Sequence, residues 1–167
     1  CSSDLIRLRK SDGKNNLWGD LPFQVGLWVG QNVTPNSRRS AELQKSEFKY
    51  EELSKIEVAN PYILLNCPWC GRKLTAFDGE VAGEPKQWRL YCPRSSCRFH
   101  KNDTNKDLSI PVITIDEDIY SRCPSLIIST IDKFAQIALE PNVSKIFGNV
   151  NAHCDFCGFF NSKYDDH

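Results

Sequence analysis

The sequence predicts an α/β fold, an open layer of strands and helices interrupted by a compact cysteine-bearing module. Three observations predict it. Short apolar runs, bounded by turn residues, recur at Phe23 to Gly30, Pro111 to Ile115 and Leu126 to Ser129. Stretches able to form helices follow the first and the last of these runs. From Tyr62 to Asp107 the composition changes, with four cysteines and little apolar periodicity, so the layer is broken there by something of a different kind.

Taken in order, Phe23 to Gly30 (FQVGLWVG) ends in glycine and has the pattern of a buried strand. The polar turn Asn36-Ser37 follows, and Ser37 can cap a helix running from Arg38 to about Lys55, with Leu43, Phe48, Tyr50 and Leu53 as its apolar positions. Asn60-Pro61 stops it, because the residue before a proline is pushed out of the helical region. Pro111 to Ile115 (PVITI) and Leu126 to Ser129 (LIIS) read as buried strands rich in β-branched residues, and polar Asp116 to Pro124 reads as a loop between them. Thr130 can cap a last helix, in which Ile131, Phe134, Ala135, Ala138 and Leu139 fall at helical spacing. Asp132 suits its first turn and Pro141 ends it.

Composition excludes several classes. The 167 residues suit one domain, or one domain with a small insert. No apolar run approaches the roughly 20 residues of a membrane span. Twenty-one basic residues balance twenty-one acidic ones, so there is no strongly basic nucleic-acid tail, although a local basic patch remains open. The chain has eight cysteines and no methionine, which predicts a segment of a longer protein. Cys1-Ser2-Ser3 superficially matches the mature end of a bacterial lipoprotein, a third and weaker reading that would pair the cysteines as disulfides in an oxidising compartment.

The cysteine spacing argues against disulfides. Cys67-Pro-Trp-Cys70-Gly71 is a C-x2-C turn followed by glycine, and Cys92 and Cys97 follow twenty-one residues later as C-x4-C. Two short cysteine turns facing each other across a hairpin supply the four soft ligands of tetrahedral Zn²⁺, with Trp88 to Tyr91 as a ribbon strand between them. His100 is a substitute ligand should Cys97 be displaced. Such a site leaves no open coordination position, so its role is structural. Cys154-Asp-Phe-Cys157-Gly158 is a second half-site, which His153, His167 or residues beyond the segment could complete; free thiols on a loose tail are the alternative. Cys1 and Cys123 read as ordinary thiols.

Between Lys86 and Lys101 the sequence carries Lys86, Arg89, Arg94, Arg98 and Lys101 without an acid, interleaved with Trp88, Tyr91 and Phe99. Cations beside stacking rings are what a single nucleic-acid strand requires, and a solvated ribbon face with shielding aromatics is the alternative. No catalytic residues are assigned. Walker A, nucleophile-elbow, zinc-protease and deaminase motifs are all absent.

Several segments in order resemble one family: Phe23 to Gly30 with Thr34-Pro35-Asn36, Asn60-Pro61 leading into CPWCG, Ile110 to Tyr120 (IPVITIDEDIY), and Pro124 to Ala135 (PSLIISTIDKFA) running on to Phe147-Gly148. They resemble large bacterial superfamily 2 helicases of the DISARM anti-phage type, the DrmA-like proteins. The resemblance covers roughly residues 20 to 150. It implies part of a RecA-like open sheet with an inserted zinc ribbon, in a cytoplasmic protein that couples ATP hydrolysis to movement along DNA. Residues 1–60 and 108–150 would be two parts of the first motor lobe, 61–107 the ribbon insert, and 151–167 the knuckle half-site.

On that resemblance the phosphate-binding loop lies upstream and the DExH box downstream. ATP and Mg²⁺ then belong to the parent alone, and other defence-system subunits are implied as partners. Ser129-Thr130 would take the place of a threonine contact to nucleic acid, and Gly30 would let a phosphate approach the backbone. Ile113 to Glu117 (ITIDE) imitates a Walker B strand but precedes the Thr130 helix, which assigns Asp116-Glu117 to a surface loop. A freestanding zinc-ribbon module that binds nucleic acid or protein without ATPase activity is the alternative.

Overall fold

The computed structural model describes residues 23–30, 34–53, 64–84, 86–102 and 108–163. Cys1, the Asn60-Pro61 helix stop and His167 lie outside the described residues, as do the side chains of Phe48, Tyr50 and Leu53. In chain order the elements are β1 (Val25–Trp28), α1 (Arg38–Leu53), a 3₁₀ turn (Ala76–Asp78), β2 (Gly79–Ala82), β3 (Gln87–Leu90), β4 (Val112–Ile113), α2 (Asp116–Arg122), β5 (Leu126–Ser129), α3 (Ile131–Gln136), α4 (Val143–Ile146), β6 (Ala152–Cys154) and β7 (Gly158–Phe160). This is a mixed α/β arrangement with a parallel sheet and a separate cysteine-bearing ribbon, as the sequence predicts.

The sheet has the order β4-β1-β5, all parallel, with Val25 opposite both Val112 and Leu126. Parallel neighbours cannot be joined by a tight turn and need crossovers. The crossover from β1 to β4 carries α1 and the whole ribbon; that from β4 to β5 carries α2. Gly26 is required beneath the second crossover, since a Cβ there would lie 2.7 Å from Pro124 Cγ. Trp28, Ile113, Ile119 and Val143 form the core of this part.

Helix α1 begins where the sequence places it. Ser37 Oγ accepts the Ser40 N–H at 3.2 Å, and Glu117 Oε2 reaches over from α2 to accept the Arg38 N–H at 2.9 Å. An anion is thus supplied to a helix start that has no acid in its own first turn.

Two expectations are corrected. Asp116 to Pro124 is not a loop: residues Asp116–Arg122 form α2, with three acids in its first turn and Arg122 in its last, an arrangement the helix dipole favours. A helix this short needs little apolar content, and Ile119, fully buried, anchors it. It ends at Cys123, which adopts a left-handed conformation and donates its N–H to Ile119 O at 3.0 Å. Second, β5 and α3 are not buried as their apolar patterns predict. Leu126 and Ile128 are more than half exposed, Ile131 and Leu139 are 82% exposed, Leu139 in the turn beyond the end of α3 at Gln136, and among the described α3 side chains Lys133 turns inward.

The antiparallel pair β2–β3 is the ribbon's hairpin. All four β3 residues are buried, and Gly79 admits the Trp88 ring, which would collide with any Cβ at that position. The ribbon shares one core with the layer: Trp88, Leu90 and Phe99 pack with Ala41 of α1 and with Ile110 and Ile115 at either end of β4.

Candidate metal centre and basic face

The first cysteine turn is shaped by its backbone. Cys67 N–H donates to Arg72 O at 2.7 Å, Gly71 N–H donates to Cys67 O at 2.9 Å, and Gly71 has φ +72°. This left-handed step, which glycine adopts without steric cost, folds the chain back after Cys70. The second turn lies beyond β3, where Cys92 N–H donates to Phe99 O at 2.8 Å and Cys97 N–H donates to Arg94 O at 3.0 Å.

The four sulfurs lie within 4.8 Å of one another. Cys67 and Cys97 are separated by 3.8 Å, Cys70 and Cys92 by 3.5 Å. A tetrahedron with Zn–S bonds of about 2.3 Å puts its sulfurs about 3.8 Å apart, so these residues fit a metal of that kind. The distances also exclude disulfides, whose sulfurs are roughly 2.05 Å apart. His100 is not needed as a substitute ligand: its Nδ1 sits 3.0 Å from Cys92 O. As free thiols Cys70, Cys92 and Cys97 differ. The Arg72 backbone holds Cys70 down to about 7, whereas burial pushes Cys92 up to about 12 and raises Cys97 as well. A metal taken up here displaces protons from the buried thiols.

Asp118 joins this ribbon to the sheet. It is 1% exposed; Oδ2 accepts the Trp88 N–H at 2.7 Å and Oδ1 accepts Arg38 Nε at 2.7 Å. Neighbouring Asp116 is buried as well. Its Oδ2 accepts Lys133 Nζ at 2.5 Å, and Lys133 lies over the Trp28 ring, 5.8 Å from its centroid. Burial raises both carboxyls above the usual range, against the pull of their cationic partners. The expected surface loop is corrected here too: Asp116 is an internal ion-pair partner, and only Glu117, bound to Arg38, faces solvent.

The residues expected to contact nucleic acid do not form one surface. Lys86, Arg94 and Lys101 are exposed, and Arg98 is half-buried with its guanidinium 5.7 Å from the Trp69 ring centroid. Trp88 and Arg89 are buried, as are Tyr91 and Phe99, so none of the four presents its side chain to a ligand. Lys101 pairs with Glu80 at 2.6 Å. Trp69, which the sequence reading passed over, is a ring that reaches solvent beside the cysteines. The signal was its place between two cysteines, where the side chains that do not ligate point outward. Thr130 is exposed at the carboxyl end of β5, and its hydroxyl makes no capping bond.

Cys154 and Cys157 lie at the turn of the β6–β7 hairpin, and among the described residues no further ligand joins them. Among the described residues no helix is long and apolar enough to cross a membrane.

No protein-family profile matches this chain. The chain is similar to DISARM protein DrmA from Bacillus paralicheniformis, with 33% identity over 156 residues, 87% of this chain. It spans 13% of that protein's length. The likeness to DrmA first drawn from short motifs therefore extends over most of the chain.

Proposed function

We propose that this chain is a segment of an ATP-dependent DNA helicase or translocase of DISARM anti-phage defence, part of the first of two RecA-like lobes. The observation that carries the reading is the sheet: three parallel strands with Thr130 exposed and uncapped at the end of β5, within a sequence similar to DrmA over 87% of its length. In open α/β sheets ligands bind beyond the carboxyl ends of the strands. Thr130 there is the nucleic-acid contact of this reading. Residues 1–60 and 108–150 belong to the lobe, and 61–107 form a Zn²⁺ ribbon that braces it. ATP and Mg²⁺ bind elsewhere in the longer protein, and other defence subunits are its partners.

The test is ATP hydrolysis by the longer protein with and without DNA. Stimulation by DNA, reduced in Thr130→Val with basal hydrolysis intact, is the expected result. An ATPase indifferent to DNA overturns the translocase reading.

A second reading is favoured by one observation. Arg98 lies over the exposed Trp69 ring, and a cation beside such a ring suits a single strand. On that reading the ribbon binds nucleic acid itself, with or without a motor.

A further inference from the structure

The β6–β7 hairpin repeats the geometry of the complete site's first turn. Both are C-x2-C-G, and both glycines are left-handed, Gly71 at φ +72° and Gly158 at φ +82°. Both turns close an antiparallel pairing, Asn66 with Lys73 in the first and Ala152–Cys154 with Gly158–Phe160 in the second. Phe156 N–H donates to Cys154 Sγ at 3.3 Å, a contact that stabilises a thiolate. The hairpin is also no loose tail. A Cβ on Gly158 would overlap the Ser121 carbonyl oxygen at 2.1 Å, so the turn is seated directly on α2.

Its ligand set is incomplete. A structural zinc site needs four ligands, and among the described residues there are two. His153 is not a third: it follows the pleat to the face opposite Cys154, pairs with Phe159 in the register and packs against that ring edge-on at 4.9 Å. Cys157 and Phe156 are exposed. The chain matches 13% of its DrmA relative, which leaves ample sequence to supply what is missing.

We propose that Cys154 and Cys157 are half of a second tetrahedral Zn²⁺ centre, completed by two cysteine or histidine ligands from the longer protein. This centre pins the hairpin, and α2 beneath it, to an adjoining part of that protein. Helix α2 is then braced on both sides, by Asp118 against the first ribbon and by Ser121 against the second centre. The inference rests on the hairpin and not on the motor reading. A longer protein without DNA-stimulated hydrolysis would still hold this metal.

The test uses the longer protein, purified without chelator, with zinc measured per chain and cysteines mapped by native alkylation and mass spectrometry. Cys157 is expected to resist iodoacetamide in the wild-type protein and to react once zinc is stripped. Cys157→Ser should lower the zinc content by one ion, as Cys67→Ser should at the first site. Rapid alkylation of Cys157 in the native protein overturns the proposal. So does protection of Cys154 that survives Cys157→Ser with no loss of zinc, which would mean that another surface covers the turn. The wild-type alkylation pattern decides even if a variant fails to fold.

Discussion

The backbone N–H of Trp88 donates to the carboxylate of Asp118 at 2.7 Å, and through this bond the cysteine-bearing ribbon and the parallel sheet hold each other in place. The other oxygen of the same carboxylate takes Arg38 from α1, so three elements meet at one buried group. Asp118→Ala takes this acceptor from the buried Trp88 N–H and leaves the Arg38 guanidinium with Glu117 alone. The expected loss is about 3–5 kcal/mol, the cost of breaking a buried charge pair from one side. Asp118→Asn should lose less, because its carbonyl can keep one of the two bonds. Urea unfolding gives the difference, and hydrogen exchange should show the Trp88 amide losing protection in the alanine variant. Stability within 0.5 kcal/mol of the parent would mean that ribbon and sheet do not depend on this joint.

What the sequence made legible was local. The clustering of the four cysteines could be read because C-x2-C and C-x4-C impose their geometry within a few residues, and α1 because Ser37 supplies its own cap. Strands β4 and β5 could be read from short β-branched runs, and β1 from an apolar run ending in glycine. Helix α2 could not. Its seven residues hold three acids and one fully buried apolar side chain, Ile119, too little for a helical period to show. The basic face was misread at Trp88 and Arg89 for a related reason. Counting cations and rings does not say which side of a strand is covered, and β3 is covered on both. Lys133 gave no signal either, because its partner Asp116 lies in another element.

Lys133 and Asp116 form an ion pair that is almost wholly buried, 3% and 5% exposed. Lys133→Met removes the attraction that lowers the Asp116 carboxyl but leaves the desolvation that raises it. Its folded pKa then climbs further above the unfolded value of about 3.9. A group raised on folding favours the folded state when protonated, so its contribution is lost as pH rises through the folded value. The variant's deficit should therefore be larger at pH 8, about 3–5 kcal/mol, than at pH 5. Adding Asp116→Asn should recover much of it, since no buried charge remains. Equal deficits at the two pH values would show that Asp116 does not sense Lys133.

Arg94 and Arg89 separate the two roles that the basic segment could play. Arg94 is exposed; Arg89 is buried with its guanidinium packed over Gly83. If the ribbon holds a nucleic-acid strand, Arg94→Ala should weaken binding and flatten the salt dependence by about 0.7 in slope, the value for one single-strand phosphate contact. Arg89→Ala should instead lower the melting temperature. Fluorescence anisotropy across a salt series, beside thermal unfolding, distinguishes them. An unchanged slope for Arg94→Ala would remove the ribbon from the binding surface.

The uncovered apolar face of β5 and α3 bears on whether the sheet continues. Among the described residues β5 is an edge strand, and Leu126, Ile128, Ile131 and Phe134 are all more than half exposed beside it. Natural sheets guard free edges with charge, proline or bulges, yet the strand reads Leu-Ile-Ile-Ser and carries none of these. A face of this kind suits coverage by further elements of a larger lobe, which gives Ile131→Glu two different outcomes. In the 167-residue chain, where Ile131 is 82% exposed, the change should move stability by no more than about 0.5 kcal/mol. In the longer protein the same glutamate would be buried without a partner, and the melting temperature or the soluble yield should fall sharply. Tolerance in both would mean that this face meets water in the longer protein too, and that the sheet ends at β5.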